Sequence, residues 1–150
     1  MNAESQILEK WIGTLAAFQP ENAAAVCQPK PDPFRNPVAH AIRQSLTQLW
    51  EELRGNMNSE AIDSALDTIL RIRAVQDLSQ NQAVSFVIQL RSILREAPAT
   101  FDLALLERRI DRLALAAFDK YMQCREHLLA VRLRETERLT HPHRARKAGA

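Results

Sequence analysis

Glycine is nearly missing from this chain, with three in 150 residues. So few glycines cannot build a G-x-S-x-G nucleophile elbow, a phosphate-cradling loop or a dinucleotide fingerprint, and none is found. They also disfavour a fold of many short strands, because tight hairpins draw on Gly and Asn for their turns. Cysteine is scarce too. Cys27 and Cys124 are far apart and form no C-x-x-C pair, so reduced thiols of a cytoplasmic protein are expected rather than a disulfide framework. No stretch approaches the roughly 18 apolar residues of a membrane span. The opening Met1-Asn2-Ala3-Glu4-Ser5 has no basic region followed by an apolar run, so no signal peptide is expected. Charge of one sign is lacking as well. The formal net charge is +2, and three basic residues, Arg144, Arg146 and Lys147, sit in the last seven positions. The rest of the chain is close to neutral, which argues against a nucleic-acid partner.

What is present is a folding composition, 46% hydrophobic and 25% charged, in a length suited to one domain with a core of its own. Residues 1–139 are read as a single helical domain and 140–150 as a disordered basic tail. Five helices follow from the spacing of apolar residues. The first runs from about Ala3 to Phe18, with Ile7, Leu8, Trp11, Leu15 and Phe18 on one face. Pro20, Pro29, Pro31 and Pro33 make residues 19–36 an irregular connection, since each removes a backbone donor and restricts its predecessor. Asn36 is a suitable N-cap and Pro37 a suitable first residue for the second helix. Its stripe is Val38, Ile42, Leu46, Leu49 and Leu53, ended by Gly55-Asn56. The third helix, about Ser59 to Asp77, is capped by Asn58 or Ser59 and buries Ile62, Leu66, Ile69 and Leu70. Ser79 and Gln82 have the spacing of a capping box. They open the fourth helix, with Ala83, Phe86, Val87, Leu90, Ile93 and Leu94 toward the core and Pro98 closing it.

The fifth helix, from about Asp102 to Arg138, is the longest. Its seam of Leu103, Leu106, Ile110, Leu113, Ala117, Tyr121, Cys124, Leu128 and Val131 is spaced mostly three and four apart, as in a heptad repeat. At 1.5 Å per residue the helix is roughly 55 Å long, more than a domain of this size is wide. Its outer end is therefore expected to be a solvated helix end or a dimer contact, carried by Leu128, Val131, Arg132 and Glu135.

Catalytic chemistry leaves few marks. His40 and His127 are isolated on helices, with no His or Cys at i+3 or i+4 of either, and no aromatic wall for a porphyrin surrounds either. His141 and His143 form a weak H-x-H in the tail. Cys124 beside Arg125 has a neighbour able to favour thiolate, but its place on the seam reads more simply as a small core residue. No metal, haem or other cofactor is expected. Trp50, Phe86, Phe118 and Tyr121 read as core aromatics before pocket walls.

The most unusual stretch is Arg71-Ile72-Arg73-Ala74-Val75-Gln76-Asp77, which crowds two guanidiniums, an amide and a carboxylate into the end of the third helix. Cations there suit the helix dipole, and Asp67–Arg71 and Arg73–Asp77 are i,i+4 pairs. Successive residues also fan around a helix, so one arginine turns inward when Ile72 and Val75 do. An inward arginine calls for a carboxylate, with Asp119 or Glu126 of the fifth helix as candidates. Arg71, Arg73, Gln76, Asp77, Asp119, Tyr121 and Glu126 are thus the candidate pocket or switch cluster.

Three blocks carry a family resemblance: Pro33-Phe34-Arg35-Asn36-Pro37-Val38; Arg71 to Gln76, continuing through Asp77-Leu78-Ser79 and Gln82-Ala83-Val84; and Ala117-Phe118-Asp119-Lys120-Tyr121-Met122 with Cys124-Arg125-Glu126. In order and spacing they resemble the N-terminal domain family of RsbT co-antagonist (RsbRD) proteins. The resemblance implies a globin-like, haem-free, all-α bundle that dimerises and forms the input end of a stress-signalling protein, with no enzymatic activity. In full-length relatives the last helix leads into a STAS output domain of the stressosome, phosphorylated by a partner kinase. This sequence departs from that pattern in running from the long helix into a short basic tail. The expected partners are a second copy, an unidentified signalling protein and a small-molecule ligand. The alternatives are an adaptor that docks on a kinase or redox complex, and a thiol- or metal-dependent enzyme using Cys124 or the histidines.

Overall fold

The computed structural model describes residues 2–16, 32–97 and 101–140, and within them every regular element is helical. The helices are α1 (Ala3–Ala16), α2 (Pro37–Arg54), α3 (Ser59–Val75), α4 (Gln80–Glu96) and α5 (Leu103–Thr140). Phe18, the proline-rich connection up to position 31, Cys27 and the tail from His141 onward lie outside the described residues.

Each helix start is fixed locally. The Asn2 side chain accepts from the Ser5 N–H at 2.8 Å, and Asn58 accepts from Ala61 at 3.0 Å. Ser79 and Gln82 close the reciprocal capping box, with Gln82 N–H donating to Ser79 Oγ at 3.2 Å and Ser79 N–H to Gln82 Oε1 at 3.1 Å. Asn36 stands at the start of α2 with Pro37 after it, but its side chain makes no capping bond. Asp32 organises that entry instead, its side chain accepting from Phe34 N–H at 2.9 Å and its carbonyl from Asn36 N–H at 2.8 Å.

The ends of α2 and α3 depart from the sequence expectation in detail. After α2 the left-handed residue is Met57, at φ 52°, rather than Gly55. Two things hold it there. The Glu52 carbonyl and carboxylate accept from Met57 and Asn58 N–H, and Arg109 of α5 donates to the Leu53 and Gly55 carbonyls at 2.7 and 2.9 Å. These contacts satisfy acceptors that a helix end leaves open. Helix α3 stops at Val75, two residues before the expected Asp77, because Asp77 itself adopts φ 58°, a conformation Asp tolerates better than most residues.

Around the core the helices follow the order α1, α2, α3, α5, α4 and back to α1, each packed on its neighbours in that ring. The interior holds Ile7, Trp11, Ile12 and Leu15 from α1, Leu46, Leu49 and Trp50 from α2, Leu66, Ile69 and Leu70 from α3, Phe86, Val87 and Leu90 from α4, and the α5 seam. Trp11 stacks on Phe86 at 6.2 Å, and its indole N–H donates to the Phe86 carbonyl at 2.7 Å. Ion pairs trim the outside, among them Arg43–Glu9 between α2 and α1, Arg91–Asp111 between α4 and α5, and Lys120–Asp63 between α5 and α3 at 2.8 Å.

The α5 seam is buried from Leu106 through Ile110, Leu113, Ala117 and Tyr121 to Cys124. Leu103 at its start is exposed, and Leu128 and Val131 beyond it are half-buried. From Arg125 to Thr140 the helix continues for about four turns with no buried residue. Leu129, Leu133 and Leu139 there are exposed.

Candidate functional site

The turn between α3 and α4 is where the polar residues of the unusual stretch meet α5. Arg73 is buried, 1% exposed, so the inward-facing arginine is this one. Its Nη1 donates to the Gln82 carbonyl in the first turn of α4 at 3.2 Å, and its guanidinium lies 5.4 Å from the Phe86 ring. Burial pulls its pKa down to about 10, with the nearby Tyr121 phenol acting the other way. Arg73 therefore carries its charge at neutral pH inside the bundle, held by a carbonyl dipole and an aromatic face.

Tyr121 is buried on α5 and its hydroxyl donates to the Leu78 carbonyl in the turn. One helical turn further, Arg125 Nη1 donates to the Asp77 carboxylate at 2.9 Å and reaches the Leu78 carbonyl at 3.5 Å. Asp77 thus combines its left-handed backbone with an ion pair to α5, and two α5 side chains clamp the turn. Gln76 caps α3 and is half-buried. Arg71 is exposed and pairs with Asp67 at 2.8 Å. Asp119 and Glu126 are both exposed on α5. They do not form the buried ion pair expected for Arg73, whose contacts instead include a backbone carbonyl and a ring. Arg73, Gln76, Asp77 and Tyr121 are brought together; Arg71, Asp119 and Glu126 lie outside that junction.

Arg125 is the residue the sequence reading missed. The sequence names it as a neighbour of Cys124 and within the third block, but its pairing with Asp77 spans 48 positions. Cys124 itself is a buried free thiol. Burial raises its pKa, and Asp67 and Asp63 add to that against Arg71 and Lys120. Arg125 does not turn it into a thiolate. Among the aromatics named from sequence, Trp50, Phe86 and Tyr121 are buried, whereas Phe118 is 44% exposed. With Leu115, Met122, Leu129 and Leu133 it lies on a second apolar stripe of α5, roughly opposite the buried seam by helical spacing.

His40 is half-buried in the first turn of α2 and His127 is exposed on α5. Among the described residues no group of three His, Cys, Asp or Glu side chains is placed to hold a metal ion. No helix among them is long and apolar enough to cross a membrane. Of the two prominent clefts, one of about 620 Å³ lies among the ends of α1, α2 and α5. The other, about 270 Å³, lies between α3 and α5 near Met57 and Arg112. Neither sits at the α3–α4–α5 junction, where Arg73, Phe86 and Tyr121 pack.

The described residues thus form an all-α bundle whose internal polar groups tie its elements together. The family model described as the RsbT co-antagonist protein rsbRD N-terminal domain matches residues 5–136, and the chain belongs to that family of regulatory domains. No curated protein and no solved structure matches the chain. Two of the three blocks that carry the resemblance, 71–84 and 117–126, meet at the clamped turn. The first block stands apart, with Phe34 94% exposed in the turn before α2.

Proposed function

We propose that this protein is a non-enzymatic, cytoplasmic input module of stress signalling, that it works as a homodimer, and that it signals to a protein partner by changing contacts along α5. The observation that carries the reading is the reach of α5. Its last buried residue is Cys124, yet the helix continues to Thr140, with Leu128 and Val131 prolonging the seam spacing past the last buried position. A helix that keeps such an edge beyond its own domain gains by burying it against another helix. The dimer contact we propose is Leu128, Val131, Arg132 and Glu135.

The Asp77–Arg125 and Leu78–Tyr121 bonds offer the coupling. They join the α3–α4 turn to the stretch of α5 just before the overhang, so displacement of that turn would be felt where the two copies meet. Arg71, Arg73, Gln76, Asp77, Asp119, Tyr121 and Glu126 remain the candidate switch cluster, with the first contact made by the clamp.

An adaptor that docks on a kinase or redox complex is the second reading. It is favoured by the packing of Arg73, Phe86 and Tyr121 at the junction, which leaves surface contact as the simpler input there. Cysteine cross-linking tests the homodimer. Val131→Cys in a Cys27→Ser background should oxidise to a covalent dimer, while Arg134→Cys, off that edge, should cross-link far less. Failure at positions 128, 131, 132 and 135 alike would reject the self-contact and leave the adaptor.

A further inference from the structure

The larger cleft lies at the end of the bundle away from the clamped turn. It is walled by Leu53 and Arg54 of α2, the start of α1 at Asn2–Glu4, and Phe101, Leu105, Leu106 and Arg109 at the start of α5. Leu105 and Tyr121 are separated along α5 by about 24 Å of helix, so this is a site distinct from the switch cluster. Its volume of about 620 Å³ is in the range that small-molecule pockets occupy. We propose that it binds a small organic acid with a flat apolar body. This goes beyond the protein-contact reading above and does not depend on it.

The chemistry of the lining selects the ligand. Leu53, Phe101, Leu105 and Leu106 supply an apolar floor, and Trp50 stands behind it, edge-on to Phe101 at 6.0 Å. Both acidic side chains of the cleft are already engaged. Glu4 pairs with Arg54 at 2.8 Å, and Asp102 caps α5 by accepting from Leu105 N–H at 3.2 Å. The cleft also keeps donor capacity on its basic side. Arg109 places one nitrogen, Nη1, on the Leu53 and Gly55 carbonyls, which leaves Nη2 and Nε without a hydrogen bond among the described residues. The amino-terminal end of a 38-residue helix adds positive potential on the same side. A carboxylate meets the second edge of a guanidinium well. Arg54, 5.1 Å from the Trp50 ring centroid, gives a flat ligand a further face to lie against.

Calorimetric titration of the full chain with 2-naphthoate tests the assignment, with 2-naphthylmethanol as the neutral counterpart. Saturable naphthoate binding is expected, with the alcohol weaker by about tenfold or more, a difference a charge-assisted pair supplies. Arg109→Gln should weaken naphthoate by a similar factor. Because Arg109 also holds the end of α2, Leu105→Trp serves as a second variant that fills the cleft without removing a polar contact, and it should abolish binding while the helical spectrum is kept. No saturable binding at millimolar naphthoate, equal affinity for acid and alcohol, or full binding by Leu105→Trp would overturn the proposal. None of these outcomes bears on the dimer.

Discussion

The two halves of α5 are built from the same kinds of residue and have opposite fates. Between Leu106 and Cys124 the seam positions are closed off by α3 and α4, and charged residues reach across to them, as in Lys120–Asp63 and Arg95–Glu107, while Leu115 and Phe118 on the other side stay exposed. Between Leu128 and Thr140 the mix of leucine, arginine and glutamate persists, and no residue is buried. Helical periodicity records that a face is to be covered and is silent on whether the cover lies in the same chain. The contrast locates stability in the first half and availability for contact in the second.

The largest effect that should sharpen this contrast is Phe86→Ala. It removes the ring against Trp11 and beneath Arg73 and should destabilise the fold by about 3–5 kcal/mol, the usual cost of deleting a buried aromatic, in a thermal or urea melt. Next is Arg73→Ala, expected to lose more than about 1 kcal/mol by removing one of the donors to the Gln82 carbonyl and opening a gap beside Phe86. Arg73→Met should lose less, because filling the space without a charge removes the desolvation cost. If both variants melt like the parent, the buried guanidinium contributes nothing. Tyr121→Phe keeps the ring and strips one hydroxyl from the Leu78 carbonyl, and a loss of about 1–2 kcal/mol is expected. At the small end, Glu135→Lys on the overhang should leave the monomer's stability within about 0.5 kcal/mol, as for surface changes generally, while weakening self-association. A large drop in folding stability would mean that the overhang belongs to the core after all.

Cys124 gives the comparison a pH axis. Burial raises its pKa, so the fold favours the protonated thiol. Its contribution is fully present below the pKa of the unfolded thiol and is lost as pH rises through the higher folded value. In a Cys27→Ser background, the rate of iodoacetamide alkylation should therefore rise with pH at a midpoint above that of a free thiol. A midpoint below it would restore the reactive-cysteine reading.

Much of the fold was legible because it depends on near neighbours. Asn58, Ser79 and Gln82 announce their helix starts within four residues, and the 3.6-residue spacing of Leu46, Leu49 and Leu53 names their side of α2. Arg73 was legible in part, since a fan of residues around a helix must turn one arginine inward. Its setting was not, because a carbonyl of Gln82 and the face of Phe86 are no more marked in the sequence than Asp119 is. The clamp of Arg125 on Asp77 and the capping of α2 by Arg109 were illegible for the same reason, as each joins positions some fifty residues apart. The exposure of Phe118 was missed because an aromatic beside a seam reads as core when only one stripe is sought.

The central claim is that the far half of α5 is covered by a second copy. Sedimentation equilibrium of the full chain across the micromolar range tests it most directly. The account predicts a species of twice the 17.0 kDa chain mass that shifts toward monomer when Val131 and Arg132 are both changed to Glu. A single-chain mass at every concentration, unaltered by those changes, would contradict it.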